Sequence, residues 1–592
     1  MIEQWKTWLA NHPRWTGAAL SVLMFLIYAQ SLSCKFVFDD IPIILENPFI
    51  TNVSFWRRIF TGSVWSFRGA SENDNFYRPL QFVLYWLLYR INGPNPAVFH
   101  FFLILLCAGT AWLVFELGRE LLGSDWLALG GALLWMLHPQ HVETATWISA
   151  LPDAGAACFG ILGFLLFLRA EKAGGGAWTR YAVAAMAYFP ALLFKESALA
   201  FPALLLVYWF FFPGSSSRTE KLVRWLPFGA ALAVYLAIRI AILGRFSQGA
   251  QAFNLSRNLL TAALGLLGQH ARLFIWPAHL SAFRVFEARQ SLLSPWPWLT
   301  LLVLIALLFL RRREPLLGFL VFWWVVTLAP CLDYRMVSFP LADRFSYMPS
   351  VGLAFAAACL CLDKIPRIFP QTKLAPALAV ALASVATIYA VQDVRLVPTW
   401  GDNVALWSYS LQASPDSALV HLFQATLLRT RDGNIAGAQR EYKTALRLNQ
   451  QSLRPLAGVA YECYLGLGQI ELLYGHMAEA INYYQTAIQL GPGHSPAYRA
   501  LGALYFPQGR YKEAANYFTT AVKLNPQDVE SRFFLGTCFL KLDRPRDAAA
   551  QFHAARQVDP TYIEAYGAEA RALEAAGDKA EAAHVRSLTA NH

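Results

Sequence analysis

The sequence predicts an all-α protein: a polytopic bundle of about eleven membrane-spanning helices, then an α-solenoid of short helical repeats. Three observations carry this. Hydrophobic residues make up 56% of the 592 and charged residues only 15%, where a soluble chain carries about 25% charged residues. The deficit is confined to the part before Trp400, a succession of apolar blocks. Beyond it, small and aromatic residues recur every 34 residues. The chain therefore divides into a membrane domain, residues 1–392, and a soluble repeat domain, residues 393–592.

The first block, Thr16–Leu32, has no A-x-A cleavage site and reads as an uncleaved span. Further blocks are Ala97–Leu117, Trp126–Leu137, Asp153–Leu168, Tyr181–Phe194, Ser197–Phe212 and Trp225–Leu243. Trp298–Leu310, Pro315–Cys331, Phe345–Leu362 and Leu374–Val391 complete the set. A weaker block, Leu259–Trp276, carries His270 and Arg272 and suits an interfacial or re-entrant segment. Arg119, Arg169, Lys172, Arg224, Arg311 and Lys364 all fall in alternate short loops. The positive-inside rule makes those loops and the N-terminus cytoplasmic. An odd number of spans then puts the repeats outside, in the periplasm if the membrane is a bacterial inner membrane. The same bias accounts for the net charge of +11. There is neither a basic helix nor an aromatic RNA-binding signature, which excludes nucleic acid as a partner. The eight cysteines show no CxxC pair or zinc spacing and imply no disulfide or metal framework.

In the repeat domain Pro492, Pro526 and Pro560 are 34 apart, as are Ala480, Ala514, Ala548 and Ala582. Tyr484, Phe518 and Phe552 keep the same interval, and Leu501-Gly502 returns as Leu535-Gly536. Small Ala lets paired helices approach, the aromatic fills the groove between repeats, and Pro stops the second helix. This is the tetratricopeptide (TPR) pattern, with an insertion near Leu453–Gly468. It implies a concave surface for an extended protein partner, with a purely structural cap as the alternative.

Polar residues gather on the outer side of the expected topology. Asp39 and Asp40 follow the first span; His138, His141, Glu143 and Asp153 lie between the third and fourth. Lys195-Glu196 interrupts two apolar stretches, and Asp343, Arg344 and Tyr347 precede the tenth span. Trp126–Leu137 and Tyr181–Phe194 are short enough to leave His138 and Lys195 below the lipid surface, where charge persists only when paired or facing a watery cavity. Each group has a plainer reading: solvated loop acids, a helix-end cap, a self-neutralising Lys–Glu pair. His138, His141 and Glu143 also offer nitrogen and oxygen ligands for a divalent metal, without a recognised spacing.

The acidic pair, Asn92-Gly93-Pro94-Asn95-Pro96-Ala97-Val98-Phe99-His100, His138-Pro139-Gln140-His141-Val142-Glu143, Phe194-Lys195-Glu196-Ser197 and the Asp343–Gly352 segment together resemble the TPR-containing transmembrane O-mannosyltransferases. These belong to the class C glycosyltransferase superfamily, and the resemblance covers almost the whole chain. It implies an inverting transfer of a sugar from a polyprenyl-phosphate carrier to a protein hydroxyl on the outer face. It implies Asp39 or Asp40 as general base, without deciding between them, and Arg344 and Lys195 as partners of the lipid phosphate, supplemented by His138 and His141. Glu143, Asp153, Glu196, Asp343 and Tyr347 become supporting residues, Asp153 standing where relatives often have a longer charged run. Two rival readings are an enzyme of the same fold acting on a glycolipid or envelope polysaccharide, and a non-catalytic membrane anchor for a TPR scaffold.

Overall fold

The computed structural model describes residues 2–68, 76–174, 178–244, 257–333, 339–370, 374–452 and 455–589. Among these the regular structure is helical, with no strand. One compact unit comprises Met1–Phe67 and Asp74–Asp416; the other is built on Ser417–His592. The first unit thus runs past the expected division at residue 392. Its extension is held by aromatic packing: Trp400 stacks on Trp147 at 5.5 Å, and Trp407 lies against Phe283 at 4.9 Å.

The longer helices of the first unit are α1 (Ile2–Asn11), α2 (Pro13–Tyr28), α3 (Pro79–Asn92), α4 (Pro96–Leu122) and α5 (Asp125–Met136). There follow α6 (Leu151–Lys172), α7 (Trp178–Phe194), α8 (Phe201–Phe211), α9 (Arg218–Leu243) and α10 (Arg257–Ile275). The last are α11 (Pro295–Phe309), α12 (Pro315–Leu328), α13 (Ser350–Cys359), α14 (Leu374–Leu396) and α15 (Asn403–Ala413). Their starts are written locally. Proline opens α2, α3, α4 and α12, where a missing N–H costs nothing, and Ser217 with Glu220 forms a capping box on α9. Helix α3 has no counterpart among the expected blocks, and Phe345–Pro349 stays outside α13.

Among the described residues five helical stretches are long and apolar enough to cross a membrane: Pro13–Ser33, Pro96–Leu122, Ile148–Lys172, Arg218–Leu243 and Leu374–Trp400. Others are shorter. The 12 residues of α5 reach only about 18 Å of a hydrocarbon core roughly 30 Å thick. Leu226 and Ile240 on α9, Leu302 on α11, and Val380 and Ile388 on α14 are exposed, which suits contact with lipid tails.

The two ends of the bundle differ chemically. At one end Arg169 pairs with Glu116 and Glu120, Arg119 with Asp125, Arg224 with Glu171, and Lys364 with Glu314. At the other, the loops after α2, α5, α7, α10 and α12 meet one another.

The second unit is a run of antiparallel helix pairs, opening on α16 (Ala418–Thr430) and α17 (Ile435–Gln451). Ala480, Ala514, Ala548 and Ala582 are fully buried, as are Phe518 and Phe552. A Cβ on Gly502 would stand 2.9 Å from the Phe518 ring, and one on Gly536 would stand 2.8 Å from Phe552. The Leu-Gly recurrence thus makes room for the recurring aromatic. The expected insertion is absorbed as helix length: Ala457–Leu473 has 17 residues, against 11 in Ser495–Tyr505. Of that insertion, residues 453 and 454 lie outside the described residues.

Candidate functional site

The chain leaves α2 through a short 3-10 turn, Ala29–Ser33, and enters a tight turn at Phe38-Asp39-Asp40. Phe38 has φ +48°, a conformation that costs a bulky L-residue about 1–2 kcal/mol. Its ring is surrounded by Trp147 at 5.8 Å, Phe283 at 5.4 Å and Trp407 at 5.3 Å. Asp40 is fully buried. It accepts bonds from Val37 N (3.1 Å), Ser149 N (2.8 Å) and Ser149 Oγ (2.5 Å). Burial pushes its carboxyl up to about 7, against the lowering effect of those donors. Asp39 keeps part of its surface exposed. The two acids are therefore unlike: Asp40 is buried and ties the turn to the Ser149 loop, whereas Asp39 is partly exposed.

Glu143 is buried before α6 and grips Arg344 twice. One carboxylate oxygen accepts from the guanidinium and the other from the Arg344 backbone N–H at 3.1 Å. The guanidinium also lies over the Trp147 ring at 5.2 Å and the Phe345 ring at 4.8 Å. Burial works against its charge, but Glu143, Asp153 and Asp39 outweigh it and hold its pKa up. On the same Phe345 ring, at 5.0 Å, sits Lys195 Nζ, which donates to Asp153 at 2.5 Å. Burial lowers the Lys195 pKa and Asp153 partly restores it, with Arg78 and Arg344 adding repulsion. Glu196 turns away from Lys195, accepting from Arg78 Nε at 2.9 Å and from Tyr77 N at 3.0 Å. The plain reading of a self-neutralising Lys195–Glu196 pair is thereby replaced.

Asp343 also points elsewhere, taking Arg284 at 2.6 Å; burial raises its pKa to about 7. The histidines lie in an aromatic layer beside the cluster. His138 stacks on Phe274 at 4.9 Å and bonds its carbonyl at 2.9 Å. His141 meets Ser350 Oγ at 3.0 Å between Trp135 and Tyr347. Burial lowers both pKa values, His138 to about 4. Burial thus disfavours a cationic ring at either position. Nor do the two rings suit a metal. Both oxygens of Glu143 are taken by Arg344, and the His138 ring nitrogens by Phe274 O and Gln140 N. Among the described residues no group of three or more His, Cys, Asp or Glu could hold an ion. Tyr347 is buried, and its carbonyl accepts Trp135 Nε1 at 2.7 Å.

The structure therefore gathers Glu143, Asp153, Lys195 and Arg344, with Asp39 near enough to bear on the Arg344 charge, while Glu196 and Asp343 take other partners and the histidines lie to one side. Ser149, Arg78, Arg284 and Asn403 were missed. Arg78 carried a signal, a charge just before the Pro79 that opens α3; the others are ordinary loop residues.

These features define a polytopic helical membrane protein with a charge cluster at one bundle end and a TPR solenoid. Two family models described as tetratricopeptide repeat match residues 414–495 and 495–528. The chain is homologous to proteins named protein O-mannosyl-transferases. Tmtc1 of Drosophila melanogaster is 29% identical over 190 residues, 32% of this chain and 22% of that one. F38B6.6 of Caenorhabditis elegans is 21% identical over 463 residues, 73% of this chain and 62% of that one. The latter alignment exceeds the repeat unit in length, so it includes much of the membrane unit. The first of these matches spans about a fifth of its relative's length. Among solved structures, the MamA protein matches with a TM-score of 0.25 and 22% identity, over 29% of this chain and 89% of MamA.

Proposed function

We propose that this protein is an inverting membrane glycosyltransferase that moves a sugar, mannose by analogy with its relatives' names, from a polyprenyl-phosphate carrier to a protein Ser or Thr hydroxyl. The observation that carries this reading is the pair of cations Arg344 and Lys195 on the one Phe345 ring, with the partly exposed Asp39 close enough to bear on the Arg344 charge. Asp39 removes the proton from the acceptor hydroxyl as its oxygen attacks the anomeric carbon. The bond from that carbon to the phosphate oxygen breaks, and the lipid phosphate leaves with the electron pair. Arg344 meets that charge with its planar fork and Lys195 with a point charge. The carboxylates around both cations keep them in place between turnovers. The TPR unit selects the protein acceptor.

The test is mass spectrometry of surface and secreted proteins from cells with and without the gene. Loss of a hexose mass from Ser or Thr supports the reading, and an unchanged glycan profile argues against it.

The same reading places the site on the outer face, since the opposite end carries the arginine and lysine pairs expected of cytoplasmic loops. A reporter active only outside the cytoplasm should work when fused after Asp416 and stay silent at Arg312. The reverse pattern would put Asp39 in the cytoplasm and exclude an outer-leaflet donor.

A further inference from the structure

The geometry points to Trp400–Trp407, which by sequence is the root of the repeat domain, as a positioning element for Asp39; this rests on the transferase reading above. Asp39 lies between Phe38 and the buried Asp40. Phe38 holds its positive φ of 48° only because its surroundings over-determine it. Two of those surroundings come from α15. Asn403 Oδ1 accepts the Phe38 N–H at 2.9 Å, and Trp407 stands edge-on to the Phe38 ring at 5.3 Å.

The neighbouring residues extend the seam. Lys35 N–H donates to Gly401 O at 2.8 Å, and Gln30 Nε2 donates to Val394 O at 2.5 Å. Trp400 stacks on Trp147, and Trp147 touches both Phe38 and the Arg344 guanidinium. One ring thus joins the turn of the proposed base, the cation of the proposed phosphate site and the Trp400 segment that leads into α15, all within the first unit. The start of α15 is capped without Asn403, because Asp402 Oδ1 accepts from Val404 N and Ala405 N at 3.0 Å each. The Asn403 side chain is left to serve Phe38. It touches no reacting atom, so it acts through the turn.

The test uses the full-length protein in detergent, a synthetic polyprenyl-phosphate mannose and a Ser/Thr peptide, with hydrogen–deuterium exchange read over residues 34–42. Asn403→Leu removes the acceptor oxygen at similar volume. It should lower kcat about tenfold or more, leave the donor KM within about twofold, and speed exchange at Phe38–Asp40. Asn403→Asp keeps the oxygen, so exchange should stay slow and most of kcat should return. Its added negative charge should move the acid limb of the pH–rate profile upward, through Asp39. Unchanged exchange and kcat in Asn403→Leu would overturn the inference. So would an Asn403→Asp variant as impaired as Asn403→Leu, since the acceptor oxygen would then not be the cause. Asp39→Asn in the same assay separates the two levels: wild-type turnover no higher than that variant's sinks the transferase reading itself, whatever the exchange shows.

Discussion

Asp39→Asn should reduce transfer by about 10²–10⁴, the usual contribution of a general base, while the protein still folds. Its side chain is partly exposed, and the side-chain bonds given for the turn belong to Asp40 and Asn403, which the change leaves in place. Asp40→Asn should behave differently. The amide would set an NH₂ against the Val37 or Ser149 donors that Asp40 now receives, and a donor left unsatisfied costs about 1–3 kcal/mol. Its signature is a lower melting temperature and lower yield, with activity falling as the turn loosens. The pH dependence adds a second discriminator. Burial pushes the Asp40 carboxyl in the folded state up to about 7, from an ordinary value near 3.8. Between those values the folded state binds more protons than the unfolded one, so its contribution to stability is full at low pH and falls as pH rises from about 4 to about 7. Asp343 has the same sign, so the diagnostic quantity is wild type minus Asp40→Asn. Thermal melts across that range should lose part of their slope in the variant. Full transfer in Asp39→Asn would leave the membrane-anchored scaffold as the better account.

Lys195→Met should be among the most destabilising single changes in the chain. Asp153 is 9% exposed, and Lys195 is its ion-pair partner at 2.5 Å. Removing one member of a buried pair leaves an uncompensated charge and costs about 3–5 kcal/mol, whereas replacing both members is often neutral or stabilising. Asp153→Asn combined with Lys195→Met should therefore return the melting temperature close to that of the wild type. Turnover should not return with it. The leaving phosphate would still lack one cation, and a hydrogen bond to a charged group contributes about 1.5–3 kcal/mol, roughly ten- to a hundredfold in rate. Melting curves together with donor titrations of the single and double variants read both effects. Wild-type turnover in the double variant would make Lys195 a structural residue and leave Arg344 alone with the phosphate.

The TPR solenoid was legible almost residue by residue. Its alanines, aromatics and prolines report packing between neighbours 34 apart, and a repeat buries its own neighbour whatever the rest of the chain does. The apolar blocks were legible too, because lipid demands continuous hydrophobic runs with every backbone group paired inside the helix. Chain order could also place Asp39, Glu143, Asp153, Lys195 and Arg344 at one bundle end, since alternate loops return to the same side. It could not pair them. Lys195 joins Asp153, not the adjacent Glu196, and Arg344 joins Glu143, not the adjacent Asp343. Ion pairing depends on which loops meet in space and how deeply each charge is buried, and neither is written in nearest-neighbour spacing. Burial likewise lowered the pKa values of His138 and His141 and separated the buried Asp40 from the partly exposed Asp39. Composition assigned residues 393–416 to the repeats because they are polar enough for water. Only the tertiary structure joined Trp400, Asn403 and Trp407 to the membrane unit, where the strained Phe38 needs a partner for its N–H and walls for its ring.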